Sequence, residues 1–179
     1  MSTHQYARPP SVRLSDRQWP DVRIDKSPGW CAVDLRDGNQ ALPNPMTPQQ
    51  KMEYFDLLVR VGFKEIEIGF PSASADDFQF CRDLIDEKRI PEDVTISVLT
   101  QAREPLIRRT FEALAGVKHA ICHVYIATSD LHMKYVFGKS SEQTMRIALD
   151  SVALIRELAD AAAGSEIGLE FSPEEFTDT

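Results

Sequence analysis

The sequence predicts an α/β fold, a (β/α)8 TIM barrel represented by about its first five βα units. Past residue 29, short β-rich runs alternate with longer amphipathic stretches, as in successive right-handed βαβ units on a parallel sheet. The runs are apolar on one face and polar on the other near their ends, which is typical of a barrel lined by a site. Polar clusters follow several runs, where parallel α/β proteins place their chemistry.

The composition is that of a soluble globular protein. The chain has 179 residues, of which 42% are hydrophobic and 27% are charged. A formal net charge of −8 argues against nucleic-acid binding, which needs clustered lysine and arginine. No apolar run is long enough for a membrane span, and the start lacks the apolar core of a signal peptide. Cys31, Cys81 and Cys122 form no CxxC pair, which fits a reducing compartment and predicts a cytoplasmic protein.

The first predicted elements follow a lead-in without regular structure. Residues 1–28 carry many proline, arginine and aspartate residues, which predicts an extended segment before a partial barrel domain over 29–179. Strand 1 is predicted over 29–35, with Cys31 as a small buried residue. Thr47 is expected to cap a helix whose first residue is proline. Gly62 is expected to end that helix.

The later elements continue the alternation. We predict strands over 64–70, 94–100, 120–127 and 167–171, separated by helices over 75–86, 104–114 and 141–162. Each helix has apolar residues three and four positions apart, the spacing of one helix face. On the long last helix, that face is expected to comprise Met145, Ala148, Val152, Ile155 and Leu158.

The pattern within the strands bears on the choice between two architectures. Ile66 and Ile68 alternate with Glu65 and Glu67, whereas the central strands of a doubly wound sheet are apolar throughout. The alternation favours the barrel and leaves the doubly wound sheet as the alternative. Because such a barrel takes about 250 residues, we expect the chain to be truncated after strand 5.

Four polar clusters lie at the predicted carboxyl ends of strands. They are 36–40 after strand 1, 67–72 at strand 2, 123–125 on strand 4 and 172–174 after strand 5. One cluster would be weak evidence, because an aspartate followed by glycine more often makes an ordinary turn. Four are stronger evidence for a site, because the fold brings all strand ends together.

The individual residues have structural as well as functional interpretations. Asp37 is either part of an Asp-Gly turn or a metal ligand. Glu67 is either a bidentate structural partner of Arg36 or holds that arginine as an electrophilic group for a developing oxyanion. His123 is either a satisfied buried histidine or a ligand. Glu174 is either a pocket residue or a neighbour of a helix start.

The candidate metal site is incomplete in this sequence. Asp37 is the one clear carboxylate ligand, and no His-x-His pair occurs among the 179 residues. His119 and His123 lie four apart on a strand, on one face but too far apart to bind one ion. His132 and Lys134 are expected to be solvated in a loop.

Several segments together resemble a known family. They are WCAVDLRDGNQAL, GFKEIEIGFPSASADDF, VLTQAR, HVYIATSD and LEFSPEEF, with DRQWP in the lead-in. In order and spacing they are similar to the long-form 2-isopropylmalate synthases, members of the DRE-TIM metallolyase group. The resemblance runs from about residue 13 to residue 179. The pair GFPSAS and DLRDGNQAL points to this branch.

The resemblance implies an enzyme that condenses acetyl-CoA with 2-oxoisovalerate to give 2-isopropylmalate and CoA, the first committed step of leucine biosynthesis. It implies that Asp37 binds a divalent cation, Mg²⁺ or Mn²⁺, that Arg36 stabilises the developing oxyanion, and that Glu67 orients Arg36. The general base would come from beyond the barrel. The positions that match the surroundings of the substrate and metal pocket are Gln40, His123, Ser172 and Glu174.

Rival interpretations remain open at this stage. Homocitrate synthase, citramalate synthase and related lyases share the barrel and several motifs but differ in the keto-acid pocket. A non-catalytic half-barrel is the alternative from another class, and its exposed sheet edge would favour association. The resemblance further implies a homodimer for the full-length protein. For the 179-residue chain by itself, we expect little or no activity.

Overall fold

Five parallel strands and their connecting helices form the fold in the computed structural model, which describes residues 26–179. The strands are β1 (Cys31–Ala32), β2 (Glu65–Gly69), β3 (Thr95–Gln101), β4 (His119–Ala127) and β5 (Glu166–Glu174). The helices are α1 (Pro48–Val61), α2 (Ala75–Asp86), α3 (Glu104–Ala113), α4 (Asp130–His132) and α5 (Ser141–Ala161). Shorter turns cover Asp34–Gly38, Met133–Phe137 and Phe176–Asp178. Within the described range, no helix is both long and apolar enough to cross a membrane.

The strand order identifies the architecture. The order in the sheet is β1-β2-β3-β4-β5, and every neighbouring pair is parallel. A doubly wound sheet reverses its strand order at a switch point, whereas a barrel adds each strand beside the one before it. The sequential order confirms the α/β prediction and is that of the first five units of a barrel. The lead-in predicted over 1–28 lies almost wholly outside the described residues.

Local chemistry sets the limits of α1. The Thr47 hydroxyl accepts the Gln50 N–H at 3.3 Å, and the Gln50 side chain accepts the Thr47 N–H at 2.9 Å, which is a capping box. Pro48 takes the first helical position, and Gly62 ends the helix with a φ of 108°, a conformation that favours glycine. The predicted start and end of this helix are confirmed.

Strand β1 is shorter than predicted. It ends at Ala32 instead of Leu35, because the Val33 carbonyl accepts three successive N–H groups from the turn Asp34–Gly38 at 2.9 to 3.2 Å. These bonds curl the chain into a π-helical turn. Cys31, predicted to be buried, is exposed.

Strand β5 is longer than predicted. It extends past Phe171 to Glu174, because β4 pairs with it as far as the partners Ala127 and Glu174. Pro173 is tolerated within it, because β5 is at the edge of the sheet and proline lacks only a donor on the outer side. The polar cluster predicted after strand 5 therefore lies inside the strand.

The buried face of α5 agrees with the prediction at Ile155, and at Ala148 and Leu158, which pack against the core, but it differs at Met145. Thr144, Ser151 and Ile155 are buried, whereas Met145 is 62% exposed. Positions 144, 151 and 155 form one stripe along the helix, and residue 145 is rotated about 100° away from position 144. The prediction selected the most apolar residues, but the packed stripe includes two small hydroxyl residues.

Two apolar clusters on the helix side of the sheet form the core. The larger cluster includes Phe55 of α1, Ile66 of β2 and Leu84 of α2. The smaller cluster includes Ile107 of α3 and Ile155 of α5. The helices thus cover one face of the sheet, and the other face is free to carry polar side chains.

Two adjacent leucines of α1 provide a test of this packing. Leu58 is 5% exposed and Leu57 is 42% exposed. We expect Leu58→Ala to lower the free energy of unfolding by about 2–5 kcal/mol, because it removes buried carbon atoms and leaves a cavity. Leu57→Ala should cost less than about 1 kcal/mol. Urea denaturation followed by circular dichroism measures both, and equal losses would contradict the described packing.

Candidate active site

The turn after β1 brings Arg36 beside β2. Because β1 pairs in parallel with β2, the turn emerges next to Glu67. Arg36 donates from Nε to the Oε2 oxygen of Glu67 at 2.9 Å, and its Nη2 lies 2.8 Å from the same oxygen in an ion pair. Its other terminal nitrogen, Nη1, donates to Oδ1 of Asp37 at 2.9 Å. Two carboxylates therefore fix the plane of the guanidinium.

Glu67 is the most buried charged group of this cluster, with a side chain 3% exposed. Its second oxygen, Oε1, lies 2.8 Å from Nδ1 of His123. Burial by itself would raise the pKa of Glu67, but hydrogen bonds from His123 and Arg36 outweigh it and hold that pKa below its usual range. Glu67 is therefore an ionised carboxylate at neutral pH.

The bidentate pairing predicted for Arg36 and Glu67 is wrong in one respect. Nε and Nη2 of Arg36 both contact Oε2 of Glu67, whereas a bidentate pair would place one nitrogen on each oxygen. The reason is that Oε1 already accepts from His123. Glu67 thus orients two candidate site residues.

His123 continues this chain of hydrogen bonds to β5. Its Nε2 lies 2.7 Å from Oγ of Ser172 and 3.7 Å from Oε1 of Glu170. Because the Glu67 carboxylate can only accept, Nδ1 carries a proton towards it. In the neutral imidazole, Nε2 then accepts from the Ser172 hydroxyl.

Five of the seven predicted site residues form one continuous polar chain. In order, they are Asp37, Arg36, Glu67, His123 and Ser172. The other two, Gln40 and Glu174, are exposed. The Glu174 carbonyl accepts from the backbone and the hydroxyl of Thr128 at 3.1 and 3.2 Å, so its backbone holds the end of β4. Pocket roles for these two residues stay predictions.

Two aromatic residues of the predicted clusters, to which the sequence assigned no role of their own, lie at the same end of the sheet. Tyr125 follows His123 by two positions on β4 and shares its face. Its ring meets that of Phe70 edge to face, with centroids 6.2 Å apart and an interplanar angle of 78°. Burial and the charge of Glu174 raise the pKa of Tyr125, while Arg36 acts in the opposite direction. The two-residue spacing from His123 was the available sequence signal.

His132 was predicted to be solvated, and this is wrong. Its Nδ1 lies 2.7 Å from Oε2 of Glu175 and 3.2 Å from the hydroxyl of Ser129. These contacts tie the loop after β4 to the residue that follows β5. Lys134 is exposed as predicted.

Asp37 is the described residue best suited to a divalent cation. Its side chain is 66% exposed, and carboxylate oxygen is a ligand that Mg²⁺ and Mn²⁺ prefer. Among residues 26–179, no three histidine, cysteine, aspartate or glutamate side chains lie together as a metal site. The described residues therefore fit such a cation in part, through one ligand.

The chain is similar to known proteins over nearly its whole length. A family model described as HMGL-like matches residues 27–179. The 2-isopropylmalate synthase of Clostridium acetobutylicum is 51% identical over 181 residues, covering 100% of this chain and 32% of the relative. That of Pseudarthrobacter chlorophenolicus is 56% identical over 169 residues, covering 94% of this chain and 29% of the relative. That of Bifidobacterium longum subsp. infantis is 53% identical over 164 residues, covering 92% and 26%.

The chain spans about a third or less of the length of these curated relatives. The TIM-barrel fold of the matching family agrees with the sequential parallel sheet. The match extends over nearly all of the described residues. This chain therefore belongs to the HMGL-like family.

Proposed function

We propose that the chain is the first part of the catalytic barrel of a 2-isopropylmalate synthase. Such an enzyme condenses acetyl-CoA with 2-oxoisovalerate and, by hydrolysis of the thioester with water, releases 2-isopropylmalate and CoA. The observation that carries the proposal is the polar chain from Asp37 to Ser172, in a protein 51–56% identical to relatives of that name. In this proposal residues 29–179 are barrel, and 1–28 are a lead-in.

Arg36 is the residue best placed to stabilise the negative charge formed in the condensation. A base takes a proton from the acetyl methyl group, the resulting enolate carbon forms a bond to the keto carbon, and the electron pair of the carbon–oxygen π bond moves to the keto oxygen. A guanidinium has five N–H donors on three nitrogens. Each nitrogen makes one contact, two of them to Glu67 and one to Asp37. Two N–H groups therefore remain for the oxyanion, from a group already held in position.

His123 and Ser172 would bind the keto acid. The Ser172 hydroxyl donates to Nε2 of His123 over 2.7 Å, and it can rotate from that nitrogen to a substrate oxygen. Glu67 holds the opposite side of the imidazole, so the ring stays in one orientation while the hydroxyl turns. Gln40 and Glu174 would approach the substrate from the rim of the pocket.

Asp37 would hold a divalent cation, Mg²⁺ or Mn²⁺. When bound, such a cation would polarise the keto group as a Lewis acid. Asp37 also accepts a hydrogen bond from Arg36, so the residue that would hold the cation also orients the guanidinium. The further partners in this proposal are acetyl-CoA and a second subunit, in a soluble cytoplasmic homodimer.

The choice of 2-oxo acid tests the proposal. We expect the intact protein carrying this sequence to release CoA from acetyl-CoA fastest with 2-oxoisovalerate, measured with a thiol reagent. A preference for 2-oxoglutarate would indicate a homocitrate synthase, and a preference for pyruvate a citramalate synthase. Either result, or no CoA release with any of the three acids, would overturn the proposal.

The metal role of Asp37 predicts a specific loss. We expect Asp37→Ala in the intact protein to abolish metal-dependent turnover and to weaken Mn²⁺ binding at least tenfold, because a charged oxygen ligand is removed. Electron paramagnetic resonance measures the binding without turnover. The matched control is Asp93→Ala, because Asp93 has the same 66% side-chain exposure and pairs with Lys64. Unchanged Mn²⁺ binding in Asp37→Ala would refute the role.

Because the pKa of Glu67 is low, we expect the loss of kcat on replacing its carboxylate to be independent of pH near neutrality. A lowered pKa means that the carboxylate persists as pH falls, until the pH drops below the ordinary value of 4.5. We therefore expect Glu67→Gln to lower kcat by roughly 10- to 100-fold, by the same factor throughout the range from about pH 5.5 to 8.5. Steady-state rates across that range test this, and a wild-type to variant ratio that changes there would contradict it.

A further inference from the structure

The carboxyl end of β2 contains an irregularity next to the site. Glu67 pairs with Ser97 of β3, but the next partner, Val98, pairs with Gly69, so Ile68 is left without a partner. Such β-bulges bend a strand and re-aim a side chain, and they are frequent beside active sites. Glu67 is the last regularly paired residue before this bulge.

The side chain of Asp77 holds the backbone that leaves the bulge. Asp77 is in the first turn of α2, and its Oδ2 accepts the N–H of Phe70 at 2.8 Å. Gly69 lies so close that a Cβ on it would be 2.9 Å from Oδ2 and 3.0 Å from Cγ of Asp77. With a φ of +156°, glycine is needed here for both space and conformation.

A buried lysine holds Asp77 in turn. Nζ of Lys51, on α1, binds the Oδ1 oxygen of Asp77, and the two side chains are only 6% and 18% exposed. Lysine is rarely buried unless paired, because its charge must be stripped of water. Lys51 lies 5.6 Å from the ring centre of Phe80, which adds some compensation. This desolvated ion pair lies where the chain leaves β2 and not in the apolar core.

We propose that Asp77, with its charge neutralised by Lys51, is a positioning residue for the reaction, fixing the bulge and thereby holding Glu67 between Arg36 and His123. Neither residue touches a reacting group. Asp77 fixes the backbone three residues beyond Glu67, and Lys51 neutralises the charge of the Asp77 carboxylate. The catalytic part of this inference rests on the proposed synthase function.

Three variants in the intact protein separate positioning from stability. Asp77→Ala removes the acceptor for the Phe70 N–H and the partner of Lys51. Asp77→Asn keeps an oxygen for that N–H but leaves the lysine charge unpaired. The double variant Lys51→Met with Asp77→Asn keeps the same oxygen and removes the unpaired charge. The control is Glu104→Gln, which breaks an exposed ion pair with Arg108 on α3.

The expected pattern divides kcat from stability. Asp77→Ala should lower kcat by roughly 10- to 100-fold, since small displacements of catalytic groups cost that much, with KM for 2-oxoisovalerate changed less than about threefold. Asp77→Asn should lower the melting temperature similarly but recover most of kcat, and the double variant should recover both. Glu104→Gln should change neither. If kcat falls in step with melting temperature across the series, the pair is merely structural and the proposal is overturned.

A second measurement does not need turnover. In protein labelled with ¹⁵N-histidine, His123 of the wild type should show a proton on Nδ1, held by Glu67. Asp77→Ala should shift the imidazole towards a mixture of tautomers, whereas Asp77→Asn should not; unchanged His123 signals in Asp77→Ala would overturn the proposal. If Asp77→Ala does not fold, Gly69→Ala displaces the same carboxylate and should give the same signals. Absence of synthase activity in the wild type would defeat the proposed function, and these spectra would still test the positioning.

Discussion

The Glu67 carboxylate, shared between Arg36 and His123, is the interaction on which the rest of the site depends. A buried carboxylate costs several kcal/mol of desolvation unless charge and hydrogen bonds compensate for it. Here one oxygen receives two guanidinium nitrogens, and the other receives an imidazole N–H. The same contacts join the turn after β1 to β2 and β4, and Ser172 extends them to β5. The contacts that join these elements therefore also orient the candidate site residues.

The surroundings of this interaction are acidic. Although Cys31 as a whole is exposed, partial desolvation of its sulfur and the charges of Glu65, Glu67 and Glu170 raise the pKa of the thiol to about 12. A thiol in such a field stays protonated and is a poor nucleophile. The same field attracts positive charge, so it favours the fixed guanidinium of Arg36.

Sequence patterns predicted which helices and strands form more accurately than where they begin and end. The cap at Thr47 and the stop at Gly62 are local signals, and both are confirmed. The end of strand 5 depends on its pairing with β4. The early end of strand 1 depends on the hydrogen bonds that the Val33 carbonyl accepts. Neither can be read from the spacing of apolar residues in the sequence. In the site, strand order predicted that the polar clusters meet. Which partner contacts each oxygen of Glu67 depends on side-chain geometry, which the sequence does not show. The family resemblance supplied roles for residues but not the contacts between them.

The bulge in β2 changes which residues of that strand share a face. In a regular strand, residues three apart point to opposite sides of the sheet, which would separate Glu67 from Phe70. Yet Glu67 contacts His123 and Phe70 contacts Tyr125, two residues on one face of β4. The unpaired Ile68 has converted an odd spacing into an even one. A single additional residue thus allows a short strand and the residue after it to present both a carboxylate and an aromatic ring to the same face of β4.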